Sequence, residues 1–340
     1  MKKNELENKD LQSFFNLSIK YFKKEQYLAS IEKFLIYFDH KGFDFSQKAI
    51  EFTLELLLKM IELNKYDEVI KICNQLLEHK QKINEWVPAI KTSLGIAHRE
   101  IGNFEDAFEN FTSLLEIYPE YADAYILLGS LYEEKKDYNS AIKYYKKALK
   151  SNPKNLEAFH GLRISYQELE DYSDLQKICN LILQLSPGDI KALNSLAIVS
   201  IAKDNYESAI RLLRRVIKKD DHFIDAWYNL GIAYKEDKQY EKAIEAFNIV
   251  LDLNPNSINA WKFLAKTYLD NGDYDSSLKI YQTLIKKDSE QFLYLFGIAL
   301  NYFYKSKFDK SMKFLKKALN FNPNSEQALF LKEQIEKYLN

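Results

Sequence analysis

The sequence predicts an all-α fold made of stacked helical hairpins, and three observations support this prediction. First, the chain repeats itself with a period of 34 residues. Second, apolar residues within each repeat recur three or four positions apart, which is the spacing of one helix face. Third, only nine glycines and six prolines occur among 340 residues. These are too few for a turn-rich β protein.

The repeat is visible when the chain is shifted against itself by 34 positions. Trp227 then falls on Trp261, and Tyr132 falls on Tyr166. An aromatic residue recurs inside the unit at Tyr138, Tyr172, Tyr206, Tyr240, Tyr274 and Phe308. A proline recurs near the end of the unit at Pro119, Pro153, Pro187, Pro255 and Pro323. Self-similarity of this kind predicts an array in which each hairpin packs on its neighbours.

The same period predicts how the chain is organised. We expect four segments: a flexible N-terminus at 1–10, two divergent units with short insertions at 11–87, seven contiguous units at 88–325, and a C-terminal capping helix at 326–340. The divergent units are placed at Leu11–Asp44 and Ile50–Ile83, because Tyr27 and Tyr66 occupy the recurring aromatic position. The chain therefore contains nine predicted hairpins.

Each unit is predicted to contain two helices with a close contact between them. In the fourth unit, Ala124 and Leu128 begin the first apolar stripe, and Asn152 followed by proline ends the second helix, since proline disfavours helix at the preceding residue. Glycine or alanine recurs where the two helices should approach closely, at Gly95, Gly129 and Gly231. A larger side chain there should cost roughly 1–3 kcal/mol through overpacking.

This pattern resembles the tetratricopeptide repeat family. The resemblance rests on an aromatic residue followed by Leu, Gly or Ala, and Tyr, then a mid-unit Ala, a second aromatic and a terminal Pro. The fourth unit has all of these, at Tyr125, Leu128, Gly129, Tyr132, Ala141, Tyr145, Ala148 and Pro153. The resemblance implies a right-handed superhelical solenoid of helix-turn-helix repeats, whose first helices line a concave groove that holds peptides or helices of other proteins.

Composition excludes several classes of function. The chain carries 48 Lys and Arg against 49 Asp and Glu, so its net charge of −1 disfavours nucleic acid as a partner and an RNA-reading helical solenoid. Its two cysteines and five histidines have no metal-ligand spacing. No Gly-rich phosphate loop is present. We therefore expect no metal, no cofactor and no enzymatic activity. No apolar run is long enough to cross a membrane, and a cytoplasmic location is expected.

Helical geometry predicts which residues face the groove. They include the apolar residues Phe15, Ile19, Phe22, Leu54 and Leu58 in the first two units, the residues Asn194, Tyr228, Asn229, Lys262 and Lys266 in units six to eight, and Phe296 and Phe303 in the ninth. Two interpretations of the apolar residues stay open: they fill gaps between neighbouring first helices, or they receive apolar anchors of a partner. The Asn and Lys residues either contact a polar or acidic partner segment or form a solvated face.

The sequence leads to a main functional hypothesis and several alternatives. The main one is a non-catalytic protein-interaction scaffold that binds a peptide or helix of a partner in the groove. One alternative is a structural accessory subunit of a larger assembly, such as an envelope or secretion complex, and another is the recognition domain of an enzyme. Self-association through the apolar ends is a further alternative. The identity of the partner, the pathway and the bound motif are not specified by the sequence.

Overall fold

The computed structural model describes residues 13–39, 45–287 and 290–339. Every regular element in these ranges is a helix, in agreement with the predicted all-α fold. The chain divides into two compact bodies, an N-terminal body at Met1–Leu169 and a C-terminal body at Glu170–Asn340. The predicted flexible segment 1–10 lies outside the described residues.

In the N-terminal body, helices follow one another in pairs joined by short turns. Two short 3-10 turns precede α5: Lys80–Lys82 lies at the end of the predicted second unit, and Asn84–Trp86 lies within the predicted insertion after it. The helices are α1 at 13–22, α2 at Tyr27–Phe38, α3 at Gln47–Glu62, α4 at Tyr66–Leu77, α5 at Val87–Glu100, α6 at Phe104–Ile117, α7 at Ala122–Glu134, α8 at Tyr138–Ser151 and α9 at Leu156–Glu168.

The C-terminal body continues the same pattern. Its helices are α10 at Tyr172–Leu185, α11 at Ile190–Ala202, α12 at Tyr206–Lys219, α13 at Ile224–Glu236, α14 at Tyr240–Leu253, α15 at Ile258–Asp270, α16 at Tyr274–Lys287, α17 at Gln291–Tyr304, α18 at Phe308–Phe321 and α19 at Glu326–Leu339. Odd-numbered helices up to α17 are the first helices of hairpins, even-numbered helices are the second helices, and α19 follows the last hairpin. The recurring aromatic residue begins each second helix.

The turn inside each hairpin contains one residue with left-handed backbone angles. From the third hairpin onward this residue recurs every 34 positions with a φ between 54° and 84°, at Gly102, Lys136, Glu170, Asp204, Lys238, Gly272 and Ser306. In the turn between α13 and α14, the Lys238 N–H donates to the Lys235 carbonyl at 3.0 Å, and the Gln239 N–H donates to the Tyr234 carbonyl at 2.8 Å. These bonds satisfy carbonyls at the end of the first helix.

The terminal prolines bend the chain between hairpins, as predicted. The residue before each of these prolines is no longer helical but extended, with φ between −126° and −141°. These residues are Tyr118, Asn152, Ser186, Asn254 and Asn322. Proline favours this conformation because its ring collides with the preceding residue in the α region. Each of these five second helices therefore ends one residue before the position that precedes proline.

The close approach of the two helices at small residues is confirmed. A Cβ atom at Gly231 would lie 2.6 Å from the Phe247 ring, and one at Gly129 would lie 2.7 Å from the Tyr145 ring. A Cβ at Gly95 would lie 2.3 Å from Phe111. The aromatic ring on the second helix thus fills the space that the missing side chain leaves on the first.

Serine replaces the mid-unit alanine in three hairpins and joins their two helices. Ser277 Oγ donates to the Ala265 carbonyl at 2.8 Å, and Ser311 Oγ donates to the Ala299 carbonyl at 2.7 Å. In the first hairpin, Ser30 Oγ donates to the Ser18 carbonyl at 2.9 Å. Each bond spans twelve residues and is buried, so it satisfies polar groups that would otherwise be costly inside the protein.

Candidate functional site

Within each body, the first helices of neighbouring hairpins contact one another. This is the case for α3 with α5 and α7 with α9 in the N-terminal body, and for α11 with α13 and α13 with α15 in the C-terminal body. Neighbouring second helices are less closely packed in the described residues. We call the surface formed by the predicted groove residues of the first helices the first-helix face.

The N-terminal part of the first-helix face is more buried than predicted. Phe15 is 4% exposed, with its ring 4.9 Å from that of Tyr37 and 5.5 Å from that of Phe52. The prediction that Phe15 faces a partner is therefore wrong, because its ring completes the core of the first two hairpins. This outcome agrees with the gap-filling interpretation.

Three other predicted residues at this end also contact the core. Ile19, Phe22 and Leu54 are half-buried and pack against the same apolar cluster. Leu58 alone among the predicted residues of this body is well exposed, at 58%. The apolar surface offered to solvent is consequently smaller than helical geometry suggested.

A polar contact lies within the fourth hairpin of the N-terminal body, next to α9. The Tyr145 hydroxyl donates to a Glu133 carboxylate oxygen at 2.9 Å, so α7 and α8 are joined by this bond. Burial raises the pKa of Glu133 and outweighs the opposing effects of the Tyr145 hydrogen bond and of the nearby Arg163 charge. Gly161 on α9 leaves room for the Tyr145 ring, which a Cβ atom would approach to 2.2 Å.

In the C-terminal body, two predicted asparagines bind each other. The Asn229 Nδ2 donates to the Asn194 Oδ1 at 3.0 Å and links α13 to α11. Asn194 is only 7% exposed. Its assignment as a partner-binding residue is therefore wrong, since its amide oxygen serves the contact between two first helices. Asn229 is half-buried.

An aromatic group adjoins this amide pair. The Tyr228 ring on α13 meets the Phe263 ring on α15 edge to face, with a centroid distance of 5.5 Å. Both residues are half-buried, and burial raises the pKa of the Tyr228 hydroxyl. Phe263 was not predicted as a site residue. It lies 34 positions after Asn229, so the repeat alignment of α13 and α15 contained the signal that identifies it.

The two predicted lysines of α15 have different surroundings. Lys262 forms an ion pair with Glu290 at 2.8 Å. Lys266 is exposed and forms no ion pair within the described part of the chain. The buried Lys235 on α13 is also paired, at 3.1 Å from Glu236 and from Asp270. Of these three lysines, Lys266 is the one whose ammonium group is left to pair with a carboxylate of a partner, as far as the described residues show.

The two predicted aromatic residues of α17 pack within their own hairpin and against α19. The Phe296 ring is half-buried and stacks on Phe292 at 5.9 Å. The Phe303 ring is half-buried between Phe308 and Tyr338, with centroid distances of 5.8 Å and 6.1 Å. Tyr338 belongs to α19, so this helix covers the apolar end of the last hairpin.

Side chains that could bind a metal or act as nucleophiles are few among the described residues. Asp220, Asp221 and His222 bring their ligand atoms within 4.8 Å of one another in the turn before α13, where Asp221 and His222 are exposed. Cys73 and Cys179 are buried, and burial raises the pKa of Cys73. None of the described helices combines the length and apolar character that crossing a bilayer requires.

Comparison with protein families agrees with the repeating geometry. Models of the tetratricopeptide repeat match residues 99–163, 224–257 and 264–326. The chain belongs to the tetratricopeptide repeat family. Proteins of this family generally serve as scaffolds that bind other proteins, and the repeats of this chain support the same general role.

Solved structures share the fold of this tetratricopeptide repeat protein. A tetratricopeptide repeat protein from Parabacteroides merdae aligns with a TM-score of 0.57 at 16% identity over 74% of this chain and 99% of its own. Pseudomonas aeruginosa pilF aligns with a TM-score of 0.54 at 19% identity over 63% and 97%. The APC/C hetero-tetramer Cut9-Hcn1 aligns with a TM-score of 0.58 at 16% identity over 96% and 66%. No curated protein sequence matches the chain.

Proposed function

We propose that this protein is a non-catalytic scaffold whose first-helix face binds a peptide or helix of a partner protein. The scaffold comprises nine hairpins, with 11–87 and 88–325 as its divergent and regular parts and 326–340 as its cap. The observation that carries the proposal is the surface of α13 and α15, where Tyr228 and Phe263 form a half-buried ring pair. The exposed Lys266 follows Phe263 by three residues, so the two side chains are neighbours on one face of α15. The scarcity of cysteine, with two residues in the chain, supports a cytoplasmic setting, since disulfide-rich proteins are typical of oxidising compartments.

The chemistry of this surface defines the ligand that it suits. The two aromatic rings offer an apolar wall for one large side chain of the partner. Lys266 offers a cation to a carboxylate of the same segment, while Lys262 already satisfies Glu290. Lys266 should therefore contribute more to binding than Lys262, although the two residues lie one helical turn apart on α15.

The test begins with a partner captured from the native cell, identified and then purified. We expect Lys266→Glu to raise the dissociation constant about ten-fold, because charge reversal replaces an attraction by a repulsion. Lys262→Ala should have a smaller effect. Lys286→Glu, an exposed position on the second helix α16, is the matched control and should leave the affinity unchanged. Equal affinities for the Lys266 variant and the unaltered chain would contradict the proposal.

A structural subunit of a larger assembly is the second candidate. Phe330 and Tyr338 on α19 are each 63% exposed, and a large apolar surface at the end of an array is typical of contact with another protein. Phe330→Asp distinguishes the two candidates. Loss of partner binding in this variant, together with full binding by Lys266→Glu, would favour the subunit role.

A further inference from the structure

Two open crevices recur one repeat apart in the C-terminal body, on the side of the second helices. The first has a volume of about 480 Å³ and lies between α12, α13 and α14. The second has a volume of about 330 Å³ and lies between α14, α15 and α16. Their walls use equivalent residues 34 positions apart, namely Trp227 and Trp261, Leu230 and Leu264, and Tyr234 and Tyr268.

The indole N–H of the tryptophan in each wall donates a hydrogen bond to a backbone carbonyl six residues earlier in the sequence. Trp227 Nε1 donates to the Asp221 carbonyl at 2.7 Å, and Trp261 Nε1 donates to the Pro255 carbonyl at 3.1 Å. The polar edge of each indole is thereby satisfied, and the remaining ring surface is an apolar wall in a fixed orientation. A ligand that packs on a fixed ring loses little additional side-chain entropy.

Cations surround the first crevice. Arg214 and Lys218 on α12 and Lys242 on α14 line it, whereas Glu245 is the one carboxylate among its lining residues. Arg214 donates to the Tyr234 hydroxyl at 2.7 Å. Across the described ranges, none of these three cations forms an ion pair with a carboxylate. Lys279 is the charged residue of the second crevice.

The crevices are separate from the first-helix face, although α13 contributes to both. Tyr228 and Asn229 contact the first helices α15 and α11 through Phe263 and Asn194. Trp227 and Tyr234 instead face the second helices α12 and α14. A substitution on one surface can therefore be made without altering the other.

We propose that the two crevices dock an acidic amphipathic segment of a partner protein. Its apolar side chains pack against Trp227 and Trp261, and its carboxylates pair with Lys218, Lys242 and Lys279. Charge complementarity identifies this occupant, because both rims carry a net positive charge around an apolar wall. A flat anionic membrane would meet the rims but leave the recessed indole surfaces uncovered.

The test uses the full chain and a synthetic helical peptide of about 18 residues, or five turns, with Leu and Phe on one face and Glu on the other. Calorimetry gives the dissociation constant, and tryptophan emission reports contact with the crevices. We expect Lys218→Glu combined with Lys242→Glu to weaken binding by about ten-fold or more. The control, Lys20→Glu combined with Lys337→Glu, makes the same charge change at exposed positions outside the crevices and should change affinity by less than about two-fold.

Two further peptides separate the apolar contribution from the electrostatic one. Replacement of Glu by Gln, or of Leu and Phe by Ser, should each weaken binding by about ten-fold. Unchanged affinity in the double variant, or full binding of the Ser peptide, would overturn the proposal. Binding to vesicles that contain both phosphatidylcholine and phosphatidylserine, together with no binding of the peptide, would assign the surface to a membrane instead.

Two controls keep these outcomes interpretable. Circular dichroism and the thermal midpoint establish that the charge-reversal variant is folded, and Lys218→Ala combined with Lys242→Ala replaces it if it is not. Lys266→Glu, on the first-helix face, should leave affinity for the acidic peptide within about two-fold of the unaltered chain. The crevice proposal and the first-helix proposal can thus fail independently.

Discussion

At the scale of single residues, the third, fourth and seventh hairpins follow a rule of complementary size. In these hairpins the recurring glycine of the first helix faces an aromatic ring sixteen residues later, as in the pair Gly231 and Phe247. Where the first-helix residue is Ala197 instead, the equivalent residue of the second helix is Leu213, and both are fully buried. The first-helix and second-helix residues of a pair fill one space together, so a change in the size of either should alter the packing of the other.

We expect Gly231→Ala to destabilise the protein by roughly 1–3 kcal/mol, because its Cβ would lie 2.6 Å from the Phe247 ring, closer than van der Waals contact allows. The double variant Gly231→Ala with Phe247→Leu recreates the Ala197 and Leu213 pair. Its destabilisation should be smaller than the sum of the two single effects. Urea unfolding followed by circular dichroism measures all three variants, and strict additivity would contradict the rule.

The left-handed turn residues give a second prediction at this scale. Lys238 has a φ of 59°, which is unfavourable for a residue with a Cβ atom, whereas Gly272 occupies the equivalent position of the next turn. Lys238→Gly should therefore raise stability by about 0.5–1 kcal/mol, and Gly272→Lys should lower it by a similar amount. Thermal midpoints of the two variants should move in opposite directions from that of the unaltered chain.

Residue positions also show where prediction from sequence stops. The alignment of repeats identified the close glycines and the helix-ending prolines, because both depend on local geometry. It placed Phe15 and Asn194 on an exposed face, and both are buried. Their burial depends on how far a neighbouring first helix lies from them, which periodicity within one helix does not specify.

At the scale of elements, the contact of α7, α8 and α9 makes stability depend on pH. Burial raises the pKa of Glu133, so the folded chain retains this proton to higher pH than the unfolded chain does. Ionisation of Glu133 therefore lowers stability as pH rises from the ordinary glutamate pKa through the raised one.

Glu133→Gln should remove this dependence while it keeps an acceptor for the Tyr145 hydroxyl. The thermal midpoint of the variant, relative to the unaltered chain, should increase with pH across that interval. Glu105→Gln, an exposed position on α6 of the same body, is the control and should show no such trend. A constant difference between the Glu133 variant and the unaltered chain would contradict the prediction.

The elements themselves were the most predictable part of the fold. Second helices begin at the recurring aromatic residue, and first helices end shortly before the left-handed turn residue. Where a proline closes the unit, it determines where the second helix ends. The two crevices were not predicted, since they arise where three helices diverge. Equivalent tryptophans in the sequence, Trp227 and Trp261, were nevertheless a signal that the alignment contained.

At the scale of the whole molecule, contacts are local along the chain. Helices that touch are neighbours or next neighbours in sequence, and the protein forms two compact bodies. Stability in such arrays is a sum of hairpin and interface contributions, so perturbations should remain local. Near the C-terminal end, Leu331 and Ile335 of α19 are buried against the last hairpin.

We expect Ile335→Ala to cost about 2–5 kcal/mol in the contact of α19 with α18. Hydrogen exchange should accelerate in α18 and α19 and stay unchanged in α5 and α6 of the N-terminal body. Lys337→Ala, an exposed position on α19, is the control. Faster exchange throughout both bodies would show that the chain unfolds as one cooperative unit.

The recurrence of the left-handed turn residue has a consequence for how such a gene can change. Removal of residues 239–272 would join Lys238 directly to Asp273 and Tyr274, and the new junction would have the composition of an existing turn. Unequal crossover between two such turns deletes or duplicates a hairpin in frame without inventing a loop. The length of the binding surface is thus a trait that recombination can alter in steps, independently of the point mutations that alter its specificity.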